Sequence, residues 1–155
     1  MELDDAAAAY EAGTRRFLEA ARAAPAEALD RRHPDGWSAR QVIHHVADSE
    51  AQSYARLRRL LAEPDPVISG YDEAAWAAAP ALGYEELPVE HAIAVTEAVR
   101  AASLDLVRRL TPADLRRAGR HSESGAYSVG TWLNLYVAHP VDHAAQLERA
   151  LRGEA

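Results

Sequence analysis

Four long segments of this 155-residue chain repeat their apolar residues at steps of three and four, the spacing of an amphipathic α-helix. The first ends before Pro25, the second begins after Ser38, the third spans about 88–110 and the fourth begins after Ser128. Serine is a residue type that favours helix N-caps. Helices with one apolar face bury those faces against one another. The sequence therefore predicts an all-α protein, a four-helix bundle that forms a single domain over residues 1–155.

The connection between the second and third helical segments is much longer than the other connections. It spans residues 62–88 and contains four prolines. Neighbouring antiparallel helices are usually joined by about two to eight residues, and longer connections are commonly crossovers or functional loops. We therefore expect this segment to cross the bundle or to border a functional site.

Composition excludes several classes of function. The formal charge is −7 and the 17 cationic residues, all arginines, are spread along the chain, which argues against a nucleic-acid partner. The chain has no cysteine, so a metal ion would be held by nitrogen and oxygen atoms, and no thiol of the protein acts as a nucleophile. No apolar run has membrane-spanning length and the N-terminus lacks a signal-peptide pattern. We expect a cytoplasmic protein without a membrane partner.

Histidines at helical spacing are the strongest indication of a functional site. His139 and His143 are four residues apart on the inward face of the fourth helix, so both rings can reach one ion. His45 is a third inward histidine, on the second helix. Catalytic zinc-like ions commonly take three protein ligands and leave one position open. The residues alone favour a metal site, while three separately hydrogen-bonded core histidines stay an alternative.

Two neighbours of these histidines, His44 and Pro140, bear on the geometry of the site. Adjacent helical residues point about 100° apart, so His44 cannot face the same site as His45 and we expect it on the more exposed side. Pro140 lacks the N–H that would bond the carbonyl of Tyr136, and its ring crowds that carbonyl. This predicts either a kink that aims His139 at an ion or a helix that restarts at Pro140.

The segment from Gly36 to Ala77 resembles the central part of the DinB/YfiT-like superfamily. It reads GWSARQVIHHVADSEAQSYARLRRLLAEPDPVISGYDEAAWA. Members of that family share a W-[ST]-x-R-Q-V-x-H-H-x-A-D-S stretch, followed by an acidic loop with proline and by Y-D-E-x-x-W. The later stretches HSESG and HPVDHAAQL also match. The resemblance therefore covers most of the chain beyond residue 30.

The resemblance implies a bundle of up-down-down-up topology, in which the long connection is the crossover between helices two and three. It also implies a divalent metal ion bound by His45, His139 and His143. The better understood branches of the family are metal-dependent transferases or isomerases that use a low-molecular-weight thiol such as bacillithiol or mycothiol. Other members are described as hydrolases.

We therefore predict a divalent-metal-dependent enzyme that activates a small thiol at a three-histidine site, with zinc or nickel as the metal and a small molecule as the substrate. A metal-dependent hydrolase is the alternative enzyme. A non-catalytic, metal-binding or stress-related bundle is the alternative outside catalysis. A homodimer also stays open, and no residue is assigned as a catalytic acid or base.

Seven further side chains are candidates for contact with the substrate or with the metal ligands. Arg56 is a candidate to hold a carboxylate, although an arginine there also suits a loop anchor. Asp48 is a candidate partner of a ligand, and Trp76 is a candidate border of the site or a hydrophobic staple. The full set is Asp48, Ser49, Gln52, Arg56, Tyr71, Asp72 and Trp76.

Overall fold

Four long helices, as predicted, make up most of the protein, whose computed structural model describes residues 2–155. The helices are α1 (Leu3–Ala23), α2 (Ala39–Ala62), the short α3 (Glu73–Ala78), α4 (Glu90–Val107) and α5 (Val129–Leu151). Three strands accompany them, β1 (Val67–Ile68), β2 (Ala118–His121) and β3 (Gly125–Ser128). Within residues 2–155, no helix is both long and apolar enough to cross a membrane.

Serine caps begin the two helices that carry the histidines. The Ser38 hydroxyl accepts a hydrogen bond from the backbone N–H of Gln41, whose side chain accepts one from the N–H of Ser38. This reciprocal pair is a capping box, and it satisfies two backbone donors at the start of α2. The Ser128 hydroxyl caps α5 by accepting from the N–H of Thr131. These caps fix where α2 and α5 begin.

Contacts between α1 and α5 show that these two helices run in the same direction. Tyr10 stacks on Trp132, and further along both helices Arg16 forms an ion pair with Glu148 at 2.7 Å. Residue numbers therefore rise together along the shared contact. Each of α1 and α2 packs against both α4 and α5, so α1 and α2 lie diagonally across the bundle.

The direction of α2 completes the topology. The Trp132 indole donates to the backbone carbonyl of Ser53 at 3.0 Å, whereas His45, earlier in α2, lies beside His143, later in α5. Thus α2 is antiparallel to α5. The hydrogen bonds between α2 and α4 join residues that advance together along both helices, so these two are parallel. The bundle has the predicted up-down-down-up order.

The long connection between α2 and α4 is ordered rather than a bare loop. It contains β1, α3 and a short 3₁₀ turn at Pro80–Leu82. Strand β1 pairs in parallel with β2, and β2 pairs antiparallel with β3, so the crossover is tied to the start of α5. This small sheet was not predicted, because its strands are only two to four residues long and carry no clear alternation.

The hydrophobic core is divided into two clusters along the bundle. The first contains Phe17, Ile43, Ile93 and Leu147, and the second contains Tyr10, Leu57, Leu104 and Trp132. Between them each long helix contributes one member to a hydrogen-bonded group that we call the polar layer. Its members are Thr14 of α1, Glu50 of α2, Arg100 of α4 and His139 of α5. The candidate site adjoins this layer.

Candidate metal centre

The structure brings the three predicted histidines together at the middle of the bundle. His45 comes from α2, and His139 and His143 come from α5; one ring nitrogen of each lies within 4.8 Å of the other two. The Nε2 atoms of His45 and His143 are 3.2 Å apart. Two imidazoles that bind one ion at about 2.0–2.1 Å, with tetrahedral or octahedral angles, hold their nitrogens about 2.8–3.4 Å apart. This pair is therefore spaced as two ligands of one ion would be.

Burial keeps two of the rings neutral. Removal from water, followed by the charges that His143 and His139 would carry, lowers the pKa of His45 to about 3. Removal from water, followed by the charge of His139, lowers the pKa of His143 to about 4. Metal ions bind the neutral imidazole, so both side chains are in the binding form at neutral pH.

Hydrogen bonds orient the two rings on α5. His139 Nδ1 lies 2.9 Å from Oε1 of Glu50, and His143 Nδ1 lies 2.6 Å from Oε1 of Gln146. A carboxylate only accepts hydrogen bonds, so Nδ1 of His139 donates and carries the proton. A neutral ring protonated at Nδ1 has its lone pair at Nε2, which is the usual arrangement for metal ligands.

Two buried ring nitrogens lack a partner. Nε2 of His139 makes no hydrogen bond within residues 2–155, and neither does Nδ1 of His45, whose ring lies 5.0 Å from that of Trp37. A buried polar atom without a partner is costly, and a metal ion would satisfy the first of these. The donor set of three neutral imidazoles fits a divalent ion that prefers nitrogen, such as zinc or nickel.

A fully buried ion pair contacts His139 through the carboxylate of Glu50. Glu50 and Arg100 both have side chains that are 0% exposed, and Arg100 Nη1 donates to Glu50 Oε1 at 2.8 Å. Burial opposes ionisation of Glu50, but Arg100 and then His139 outweigh it and hold the pKa of Glu50 below its usual range. Arg100 also donates from Nε to Thr14 Oγ1 at 2.6 Å. The polar layer is thus a chain of charge-assisted hydrogen bonds that ends at a candidate ligand.

Pro140 neither stops nor restarts the helix. Helix α5 continues through it, so the alternative in which the helix restarts at Pro140 is not observed. The carbonyl of Tyr136, which Pro140 cannot bond, accepts instead from Nη2 of Arg100 at 3.2 Å. The proline ring packs on Gly13 of α1, where an added Cβ would lie only 3.1 Å from Pro140 Cγ. The proline thereby leaves a carbonyl free in the interior, and Arg100 uses it.

A cavity of about 350 Å³ adjoins the site. His139, Ser49, Arg56 and Tyr71 line it, so three of the seven further candidates border the same space as a candidate ligand. His121, which the sequence reasoning did not single out, also lines it. Its Nδ1 accepts from the backbone N–H of Glu123 at 3.2 Å, which fixes the ring in the β2–β3 turn.

The other four candidates do not line the cavity. Asp48 accepts a hydrogen bond from the hydroxyl of Tyr84, which ties α2 to the crossover. Asp72 caps α3 by accepting from the N–H of Ala75 at 2.9 Å. Trp76 packs on Tyr71, with ring centroids 4.6 Å apart.

Gln52, the last of the seven, is half-buried and does not line the cavity. His44 contacts the carbonyl of Leu87 at 3.1 Å, and His91 is exposed on α4. These three side chains therefore lie apart from the histidine cluster. Among the charged residues in contact with the cluster, Glu50 was absent from the predicted set, and so was Arg100 behind it.

Curated relatives align with most of this chain. A protein of Oceanobacillus iheyensis named "Putative metal-dependent hydrolase" is 40% identical over 112 residues, and one of Bacillus mycoides with the same description is 35% identical over 112 residues. Each alignment covers 72% of this chain and 63% of the relative. The chain thus spans less than two thirds of the length of these relatives.

A solved structure and a family model match over a longer range. YfiT from Bacillus subtilis, described as "a probable metal-dependent hydrolase with an unusual four-helix bundle topology", superposes with a TM-score of 0.86 at 28% identity. The superposition covers 99% of this chain and 89% of that one. The model of the DinB superfamily matches residues 9–147. With its up-down-down-up bundle and its clustered histidines, the chain belongs to the DinB superfamily.

Proposed function

We propose that the protein is a divalent-metal-dependent enzyme that activates a small thiol for attack on an electrophile, with His45, His139 and His143 as the metal ligands. One observation carries the proposal: three imidazoles from two helices meet beside a cavity, and Nε2 of His139 is buried there without a partner. Structural histidines in a core would each have a separate hydrogen-bond partner.

A divalent ion held by three neutral ligands is a Lewis acid that lowers the pKa of a coordinated thiol or water toward neutrality. The residues of the chain supply orientation. Glu50 holds the proton of His139 at Nδ1, and Gln146 holds that of His143. Arg100 keeps Glu50 ionised in the interior. Substitution of such outer partners typically lowers metal affinity or activity about 10- to 100-fold.

The choice of a thiol as the nucleophile rests on composition and space. The chain has no cysteine, so a sulfur nucleophile has to enter from outside. The cavity of about 350 Å³ is in the range of small-molecule sites, so it can admit a nucleophile larger than water. In the reaction the thiol proton passes to solvent, the sulfur bonds to an electrophilic carbon, and the leaving group departs with the electron pair of its bond to that carbon.

Hydrolysis of an ester or amide is the second candidate, because the names of the relatives from Oceanobacillus and Bacillus point to it. It would use the same three histidines and the same cavity, with water in place of the thiol. The expected cytoplasmic location and the homodimer stay predictions, and gel filtration with light scattering tests the dimer.

Parallel assays on untagged protein separate these activities. The zinc- or nickel-loaded protein is given a small thiol with 1-chloro-2,4-dinitrobenzene, or p-nitrophenyl acetate with no thiol. We expect thiol conjugation above the rate with free metal, its loss in His45→Ala, and its retention in His91→Ala. If the protein hydrolyses the ester but does not conjugate the thiol, the hydrolase is the correct function. If the metal-loaded protein shows neither activity, the non-catalytic bundle is favoured.

A further inference from the structure

Arg56 presents a charge to the cavity that no carboxylate neutralises through its hydrogen bonds. Within residues 2–155, Nη1 donates to the hydroxyl of Tyr136 at 3.2 Å and Nη2 donates to the backbone carbonyl of Ser69 at 2.8 Å. Both acceptors are neutral oxygens. The Nε atom is buried and has no partner. The guanidinium is therefore held in place by two of its five N–H groups, and its buried Nε–H is unused.

Among the residues that the structure describes, three that line the cavity each carry a buried polar atom that makes no hydrogen bond. These atoms are Nε of Arg56, the hydroxyl of Tyr71 and Nε2 of His139. A buried donor left unsatisfied costs about 1–3 kcal/mol, so unsatisfied groups that gather on one cavity point to a ligand that completes them. A metal ion accounts for His139 but not for the other two, which cannot act as ligands in their donor forms.

The chemistry of the two remaining groups limits what they bind. A guanidinium N–H only donates. Burial raises the pKa of Tyr71 to about 12, so its hydroxyl keeps its proton and can donate. The ligand must therefore bring acceptor oxygens, and the charge of Arg56 favours a carboxylate over a neutral carbonyl.

Three exposed carboxylates at the rim of the cavity limit the charge of the ligand. Glu73, Glu123 and Asp142 line the same space. Their solvent exposure weakens them by screening, but together they oppose a group of high negative charge such as a phosphate. A single carboxylate satisfies the interior donors with the least repulsion at the rim.

We propose that Arg56 and Tyr71 bind a carboxylate of the substrate, and that the substrate is a small thiol carrying one carboxylate, placed so that its sulfur reaches the three histidines. The identity of the reactive group rests on the proposed function, whereas the carboxylate site does not. This site would fix the orientation of the thiol and discriminate against neutral thiols.

The first test uses metal-free protein and needs no thiol. The ¹⁵N Nε–H resonance of Arg56 is assigned by its loss in Arg56→Gln and followed while propionate or propionamide is added. We expect a saturable shift with propionate, a much smaller shift with propionamide, and weaker propionate binding in Tyr71→Phe. Arg58, on the same helix but over the ring of Tyr54, is the internal control whose resonance should not move. An unmoved Arg56 resonance overturns the carboxylate site and leaves the metal-dependent function intact.

The second test uses ligands that carry both a thiol and a carboxylate. Cobalt-loaded protein is titrated with thioglycolate, 3-mercaptopropionate and 4-mercaptobutyrate, and with 3-mercaptopropionamide, while visible absorption reports sulfur binding. We expect the best acid to bind at least tenfold more tightly than the amide, with this preference lost in Arg56→Gln and kept in Arg58→Gln. If Arg56→Gln does not fold, Tyr71→Phe must reduce the preference.

The possible failures of the second test are distinguishable. Equal binding of acid and amide by the unsubstituted protein contradicts the carboxylate site. Absence of any thiol-induced change in absorption contradicts the thiol function, while the propionate titration still decides the carboxylate site.

Discussion

Glu50→Gln removes one charge from the middle of the bundle while keeping the size of the side chain. Glu50 and Arg100 are both fully buried and their charged atoms are 2.8 Å apart. Loss of one member of a buried pair usually costs about 3–5 kcal/mol, because the other charge stays in the interior uncompensated. The glutamine carbonyl can still accept from Arg100, so we expect a loss of about 3 kcal/mol. A domain with about 5–15 kcal/mol of total stability would remain folded.

The same substitution should weaken metal binding. The carboxylate that accepts from Nδ1 of His139 becomes a neutral amide, which orients the ring less strongly and makes Nε2 less basic. Loss of such a partner typically costs about 10- to 100-fold in metal affinity, or about 1.4–2.7 kcal/mol. Urea unfolding of the metal-free protein measures the first effect, and competition with a chromophoric chelator measures the second.

A surface pair on α5 gives the matched control. Glu148 pairs with Arg16 at 2.7 Å, but both side chains are about 40% exposed, so Glu148→Gln should cost less than about 1 kcal/mol and leave metal affinity unchanged. If Glu50→Gln behaved like this control in both assays, the buried chain from Arg100 to His139 would have no energetic role. A loss of stability without a loss of metal affinity would reduce Glu50 to a structural residue.

Further predictions concern the ligands, pH and the proline. Calorimetry should show one divalent ion per chain, with affinity abolished or greatly weakened by alanine at each of the three ligand positions and unchanged in His44→Ala; equal loss at His44 would contradict the site. The lowered pKa values of His45 and His143 mean that the unfolded chain binds more protons between about pH 6.5 and 4, so metal-free stability should fall as pH falls through that range. Urea midpoints that do not change between pH 7 and 5 would contradict this. Pro140→Ala adds an N–H that competes with the arginine for the carbonyl of Tyr136, so metal affinity should weaken; unchanged affinity would make the proline incidental.

The bundle was predictable because its signals are local. Periodicity and serine caps act within one helix, and the spacing of His139 and His143 predicts that both rings lie on one face of the helix. The pairing of His45 with them was reached through inward position and family resemblance. Nothing local indicates which helices are neighbours, so the distances between these rings required the structure.

The contact between Glu50 and Arg100 could not be predicted from local sequence patterns. Arg100 falls on the inward stripe of its helix, between Thr96 and Ser103, and Glu50 lies between Val46 and Ser53 on its own. Opposite charges on the buried faces of two helices could have indicated that Glu50 and Arg100 are candidates for an ion pair. Their contact depends on α2 and α4 lying side by side, which the crossover determines and helical periodicity does not. The role of Pro140 could not be predicted for the same reason, because Arg100, which donates to the carbonyl of Tyr136, belongs to another helix.

X-ray absorption at the zinc edge of the loaded protein reports directly on the atoms that bind the ion. With no thiol added, we expect one zinc per chain with three imidazole nitrogens at about 2.0–2.1 Å and no sulfur. After addition of 3-mercaptopropionate we expect one sulfur at about 2.3 Å with the imidazoles retained. Fewer than three imidazoles in the first spectrum would contradict the metal site, and no sulfur in the second would contradict the thiol function.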